Sequence, residues 1–276
     1  MMKRQGIRLG AVLLLAFVMS SCQTTHEAKS VMSDDAGAMK SGITGEQLHT
    51  IGRDMSLAFF KKYPLVENDA VSVYINRVGQ YVALHLDPGT KNIKCVNGKP
   101  KQTPSNGFRF GVVRSNERMS IALPGGFVYV STALIRDLKT EDELAGVLAH
   151  EATHIVCHDG LAEMEQVLSG AGAEDIRAAA TRSYESFFQQ SFSPTQEKIA
   201  DRGALLGAYR AGYFPQDAID FVAKLESNPI PHHTAATERV AWMKKDFAKM
   251  QKKGVVNTQK ARAARFAEFK KTASRG

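Results

Sequence analysis

The chain has 276 residues, 43% of them hydrophobic, and a formal net charge of +8. That length and apolar content allow a sizeable buried core, so the chain reads as globular rather than disordered. No RNA- or DNA-binding module accompanies the positive charge, which argues against a nucleic-acid partner.

The first residues are basic (Lys3, Arg4, Arg8) and are followed by an apolar run from Leu9 to Met19, then Ser20, Ser21 and Cys22. This is the layout of a secretory leader over residues 1–21. Small residues directly before a cysteine resemble the lipobox of bacterial lipoproteins, although Met19 stands where Leu is usual. The resemblance implies that Cys22 becomes the acylated N-terminus. Gln23 after it resembles the outer-membrane sorting pattern. Residues 22–42 are Ser, Asp, Lys, Ala and Gly with few large apolar side chains, as suits a tether. No later segment reaches 18 consecutive apolar residues, so no transmembrane helix is expected beyond the leader.

The folded part is expected over residues 43–253. Thr44 and Gln47 form a capping-box pattern ahead of Leu48, Ile51, Met55 and Phe59 at helical spacing. A second amphipathic helix from about Asp69 carries Val71, Ile75, Val78, Val82 and Leu86. Between Asp87 and Gly107 the turn residues are dense, which reads as a surface loop. Strands are expected at Phe108–Val113 and Phe127–Ser131, with Pro124, Gly125 and Gly126 marking a sharp turn before the second. After Thr140 the pattern is helical, with breaks near Gly170, Ser193, Tyr213 and Asn228–Pro231. The expected class is α+β, mostly helical, with a small sheet. Residues 254–276 form a basic tail: from Ala241 onward eleven Lys or Arg face only Asp246 and Glu268. Its stretch Thr258–Lys271, with Phe266 and Phe269, reads as a solvated terminal helix, the other reading being a helix on anionic lipid. With Cys22 acylated, Cys95 and Cys157 remain. One disulfide is open to them, and two free thiols are the expectation, Cys157 being a small buried residue.

Thr140 and Glu143 open a further helix with a second capping-box pattern, and that helix bears His150-Glu151-Ala152-Thr153-His154. Residues four apart share a helix face, so both imidazoles can reach one ion while Glu151 projects beside it. The chemistry such a set supports is zinc-assisted hydrolysis, with Glu151 taking a proton from an activated water. A third protein ligand is required. His158 would sit about two turns from His150 and is rejected. Glu197 is the better candidate, on a helix with Ser193 as N-cap and Pro194 as first residue. Asp201, one turn on, can accept a hydrogen bond from a ligand histidine and fix its tautomer.

Together these motifs resemble the HtpX-like and type-1 CaaX prenyl protease-like zinc metallopeptidases, in which an HExxH helix precedes a helix carrying ExxxD. The segment Leu123–Val130 is similar to the family's PGG turn and strand, which implies that Gly125, Gly126 and Phe127 lead a strand edging the substrate cleft. His233 and Arg239 resemble the family's late His and Arg beside the zinc. The resemblance implies that His233 either donates to the oxyanion or blocks the metal at rest, and that Arg239 either pairs with Asp201 or holds a substrate carbonyl. The chain departs from the family at Met119, where Asn is usual, at Thr234, where Pro is common, and at His158-Asp159. The implied protein is a zinc endopeptidase with one Zn2+ per chain, held to the envelope membrane by lipid and acting on misfolded or misassembled envelope proteins. The alternative is a chaperone-like assembly factor on the same fold, against which an intact Glu151 argues, since binding alone needs no general base.

Overall fold

The computed structural model describes residues 43–86, 93–96, 103–159, 187–188, 191–225, 235–251 and 256–275, with 178, 233 and 254 singly. The leader, Cys22, the tether, His232, Thr234 and the breaks near Gly170 and Asn228–Pro231 lie outside the described residues. Among the described residues no helix is long and apolar enough to cross a membrane.

Helix α1 (Gly45–Lys62) opens on a reciprocal cap: Gln47 N–H donates to Thr44 Oγ1 and Thr44 N–H to Gln47 Oε1. It buries Leu48, Ile51, Met55 and Phe59, and α2 (Asp69–Leu86) buries Val71, Ile75, Val78, Val82 and Leu86, as their spacing predicts. A three-stranded sheet follows, with β1 (Arg109–Val113), β2 (Ser120–Leu123) and β3 (Phe127–Ser131) in the order β1-β3-β2. β1 runs parallel to β3, with Arg109 opposite Phe127, and β2 runs antiparallel to it, with Leu123 opposite Phe127. Successive β3 side chains alternate between faces: Val128 and Val130 join the core under α2, while Phe127 and Tyr129 join the cluster under α1.

This topology corrects the expected cleft edge. Gly125 and Gly126 form the 3-10 turn Pro124–Gly126 at φ 71° and 105°, backbone that glycine adopts without strain. A Cβ on Gly125 would also lie 2.5 Å from the His49 Cα. The turn folds the chain back on itself, so Phe127 begins the central strand and its backbone groups are paired on both sides. The sheet edges are β1, which Leu65 bridges at Val113, and β2, which pairs with no further strand among the described residues and which the sequence pattern did not reveal.

Short α3 (Thr132–Asp137) leads to α4 (Glu141–Cys157), then α5 (Pro194–Arg210), α6 (Pro215–Lys224), α7 (Ala236–Gln251) and α8 (Ala263–Ala273). Every residue of α4 is buried, because α2, α5, α6 and the sheet all pack around it. α5 comes especially close: a Cβ at Gly203 would fall 1.9 Å from Thr153 Oγ1. At α4's start Thr140 caps the Glu143 N–H as expected, but Glu143 reaches back to the Lys139 N–H (2.6 Å), one residue earlier than a capping box requires.

The C-terminal segment is not a solvated tail. Phe266 and Phe269 are buried, and Phe269 stacks on Tyr74 at 4.2 Å. The physical reason lies in the first turn of α4, where Glu141, Asp142 and Glu143 are all buried and each recruits a cation. Arg265 meets Glu141, Arg262 meets Asp142 through Nε (2.9 Å) and Lys224 meets Glu143. Carboxylates at a helix N-terminus also answer its dipole. Arg262→Ala strips the cation from a buried carboxylate, and we expect it to destabilise the fold by about 3 kcal/mol, read as a lower urea midpoint. An unchanged midpoint would show that this strap contributes nothing.

Cys95 and Cys157 are bonded, with Cα atoms 5.1 Å apart, which overturns the expectation of free thiols. Their separation of 62 residues conceals the approach in sequence, because it is created by packing the loop residues 93–95 against the end of α4. In the chain-entropy account a loop that long confers about 4 kcal/mol.

Candidate metal centre and active site

The helical repeat of α4 brings His150 and His154 to one face with their Nε2 atoms 3.1 Å apart. α5 supplies Glu197, whose Oε1 lies 3.4 Å from His154 Nε2 and whose Oε2 lies 3.8 Å from His150 Nε2. A tetrahedral zinc with bonds of roughly 2.0–2.1 Å has ligand atoms about 3.3 Å apart, and the separations of 3.1, 3.4 and 3.8 Å bracket that value. Ligand atoms of His150, His154, Glu197 and His233 all lie within 4.8 Å of one another. Each of the two α4 imidazoles presents its other nitrogen to a carboxylate: His150 Nδ1 to Asp201 Oδ1 at 3.1 Å, and His154 Nδ1 to Asp159 Oδ2 at 2.9 Å. Both Nε2 atoms are thereby turned to one point.

The electrostatics ask for a cation at that point. Burial disfavours a charged imidazole at His154, yet the carboxylates of Asp159 and Glu197 push its pKa up to about 10. Burial also works against the Glu197 carboxylate, and the surrounding histidines hold it far below the usual range. At His150 burial prevails, aided by the Arg239 charge, and lowers the pKa. A buried pocket whose anions stabilise whatever positive charge is offered fits a divalent ion well.

The sequence profile of peptidase family M48 matches residues 95–258, the stretch that holds the sheet, α4, α5 and α7. The chain belongs to peptidase family M48. It is 25% identical over 236 residues to the beta-barrel assembly-enhancing proteases of Escherichia coli K12 and Shigella flexneri, covering 76% of this chain and 45% of each relative. The Yersinia pestis protein of that name is 27% identical over 180 residues, covering 59% of this chain and 34% of the relative. The chain thus spans less than half the length of the curated relatives it matches.

Within this M48 site Glu151 is buried, and its Oε1 accepts from Ser120 Oγ at 2.7 Å. His233 enters from beyond α6. Its Nδ1 lies 3.0 Å from Glu197 Oε1, and its Nε2 lies 3.9 Å from Glu151 Oε1. Arg239, on α7, donates from Nη2 and Nε to the two Asp201 oxygens (2.7 and 3.1 Å), which answers the choice left by its sequence: it pairs with Asp201. The Trp242 indole N–H joins them at 2.7 Å. Burial opposes the Asp201 charge, but the Arg239 guanidinium draws its pKa down to about 2. His158 is the C-cap of α4 and stands outside the cluster.

An apolar cleft opens beside the M48 donors, lined by Val147, Ala218, Phe221, Val222, Leu225 and Met243, with Ser120, His150 and Glu151 at its polar end. Five contributors have no role assigned to them from the sequence: Ser120, Asp159, Phe192, Gln196 and Trp242. Phe192 stacks on the His154 ring at 4.0 Å. Ser120 was hidden because β2 went unrecognised. Asp159 was the one with a signal, being a carboxylate five residues beyond the second histidine of the HExxH motif. Met119 is buried in the cluster under α1.

Proposed function

We propose that this chain is a zinc-dependent endopeptidase of the bacterial envelope, held to the membrane through Cys22, with the outer membrane as its address. The observation that carries the reading is the buried set of His150, His154 and Glu197 donors, within 4.8 Å of one another, with Glu151 next to His150 on the same helix. Misfolded or misassembled envelope proteins are the proposed substrates. The name of the relatives, beta-barrel assembly-enhancing protease, supports that choice of compartment and substrate.

Zinc, when bound, supplies a Lewis acid that polarises a water and the scissile carbonyl. The remaining work falls to the chain. An extended substrate can add to the free edge of β2. Ser131 N–H already pairs with Met119 C=O, so Ser120 and Ala122, alternating with it, turn their backbone groups outward. Ser120 Oγ holds Glu151 Oε1 and leaves Oε2 to take the proton of the attacking water and pass it to the departing amine nitrogen. Asp201 and Asp159 hold the imidazoles, and Arg239 holds Asp201.

The test is cleavage of an unfolded model protein by the purified chain. Chelation should abolish it, and one equivalent of zinc should restore it; cleavage by the metal-free chain would reject the proposal. His233 offers a ring nitrogen within 4.8 Å of the other donor atoms, and we assign it as the resting fourth donor. On that assignment His233→Ala cleaves about ten times faster, because the position it occupied is freed. A loss of about 10²-fold would assign it instead to the oxyanion.

A further inference from the structure

The two ligand histidines of α4 are held by carboxylates of different origin. Asp201, which holds His150, sits on α5 together with Glu197. Asp159, which holds His154, comes from the end of α4 itself. Residue His158 adopts the left-handed conformation (φ 56°, ψ 37°), unusual for a side chain other than glycine. That single bend returns the chain so that the Asp159 N–H donates to the His154 carbonyl (3.0 Å) while the Asp159 Oδ2 accepts from the His154 Nδ1 (2.9 Å). One residue thus grips His154 by backbone and by ring, and Phe192 covers the ring face.

The other Asp159 oxygen is taken as well. Gln196 Nε2 donates to Oδ1 at 3.1 Å, and the Gln196 Oε1 accepts from the Ser193 N–H and Oγ, the cap of α5. Gln196 directly precedes Glu197. A hydrogen-bonded path therefore runs from the His154 ring through Asp159 and Gln196 to the first turn of the helix that delivers Glu197.

Resting on the zinc reading above, we infer that Asp159 and Gln196 are positioning residues for the metal: Asp159 fixes the His154 ring with Nε2 free to ligate, and Gln196 sets Glu197 in register with it. Glu197 lies on the first turn of α5, where a helix frays most readily, and the Gln196 bridge pins that turn to α4. Carboxylates behind ligand histidines raise ligand basicity and fix orientation, and losing one weakens metal binding by about 10- to 100-fold.

The experiment measures zinc affinity of the full-length chain in detergent by competition with a chromophoric chelator, for the parent, Asp159→Ala, Asp159→Asn, Gln196→Glu and the double variant Asp159→Ala/Gln196→Glu. Gln196→Glu keeps an acceptor for the Ser193 cap but removes the donor to Asp159, so it breaks the bridge and spares the helix start. We expect Asp159→Ala to weaken zinc binding about 10- to 100-fold. Asp159→Asn, which retains an acceptor for the Nδ1 proton, should recover part of that. Gln196→Glu alone should weaken binding by about tenfold or less, yet add nothing in the Asp159→Ala background, since both act on one path. Proton–nitrogen NMR of the zinc-loaded chain supplies a readout that general destabilisation would not move: in Asp159→Ala the His154 Nδ1 proton exchanges with water while the His150 Nδ1 proton persists. A parent that takes up no zinc overturns the metal reading and this inference with it. Zinc uptake by the parent, with Asp159→Ala within twofold of it, overturns this inference alone, as does full additivity in the double variant.

Discussion

Glu151→Gln should lower kcat for cleavage of an unfolded protein by about 10³-fold while leaving zinc content and KM near the parent values. The substitution is close to isosteric, and the Gln Oε1 can still accept from Ser120 Oγ, so neither the buried packing of α4 nor the donor set is disturbed. What is lost, on the proposed mechanism, is the Glu151 Oε2, which pairs with no described residue and is the oxygen assigned to take a proton from the attacking water. Because that transfer occurs in the transition state and not in the bound ground state, the loss falls on kcat. Equal rates for parent and variant would exclude Glu151 as the base. Zinc-loaded protein that binds unfolded chains and cuts none, with or without Glu151, would make the chain a holding factor on a peptidase fold.

The donors were legible because helical geometry translates spacing into proximity. His150 and His154 share a face for the same reason that Leu48, Ile51 and Met55 do, and Glu197 followed from a cap at Ser193 that placed it and Asp201 on one face. What could not be read were contacts made by tertiary closure. Ser120 faces Glu151 only because a glycine turn folds β2 outside β3, and a four-residue strand carries too little alternation to announce itself. Trp242 meets Asp201 across 41 residues, and Cys95 meets Cys157 across 62. The tail reads as solvated for a related reason: Arg262 and Arg265 look like free charges until they are seen to meet the buried Asp142 and Glu141 at the head of α4. The net charge of the whole chain says nothing of such local pairing.

Arg239→Ala should be the most destabilising single change near the site, at about 4 kcal/mol by urea unfolding, because Asp201 is fully buried and loses the cation that faces both its oxygens. Arg239→Lys should recover little, since an ammonium cannot span the two carboxylate oxygens as the guanidinium fork does. The paired variant Asp201→Leu/Arg239→Met separates stability from metal binding. Removing both charges together avoids orphaning Asp201, so most of the lost stability should return, less what Glu197 loses with the Arg239 Nη1 that lies 3.5 Å from its Oε2. Zinc affinity should not return with it, because Asp201 also accepts from His150 Nδ1, and without that acceptor the ring is free to turn its Nε2 away from the ion. A double variant that is stable but binds zinc at least tenfold more weakly places the pair in service of the metal. One that is stable and binds as the parent does would show that Asp201 and Arg239 hold the fold alone, and that the orientation of His150 is secured by the packing of α4.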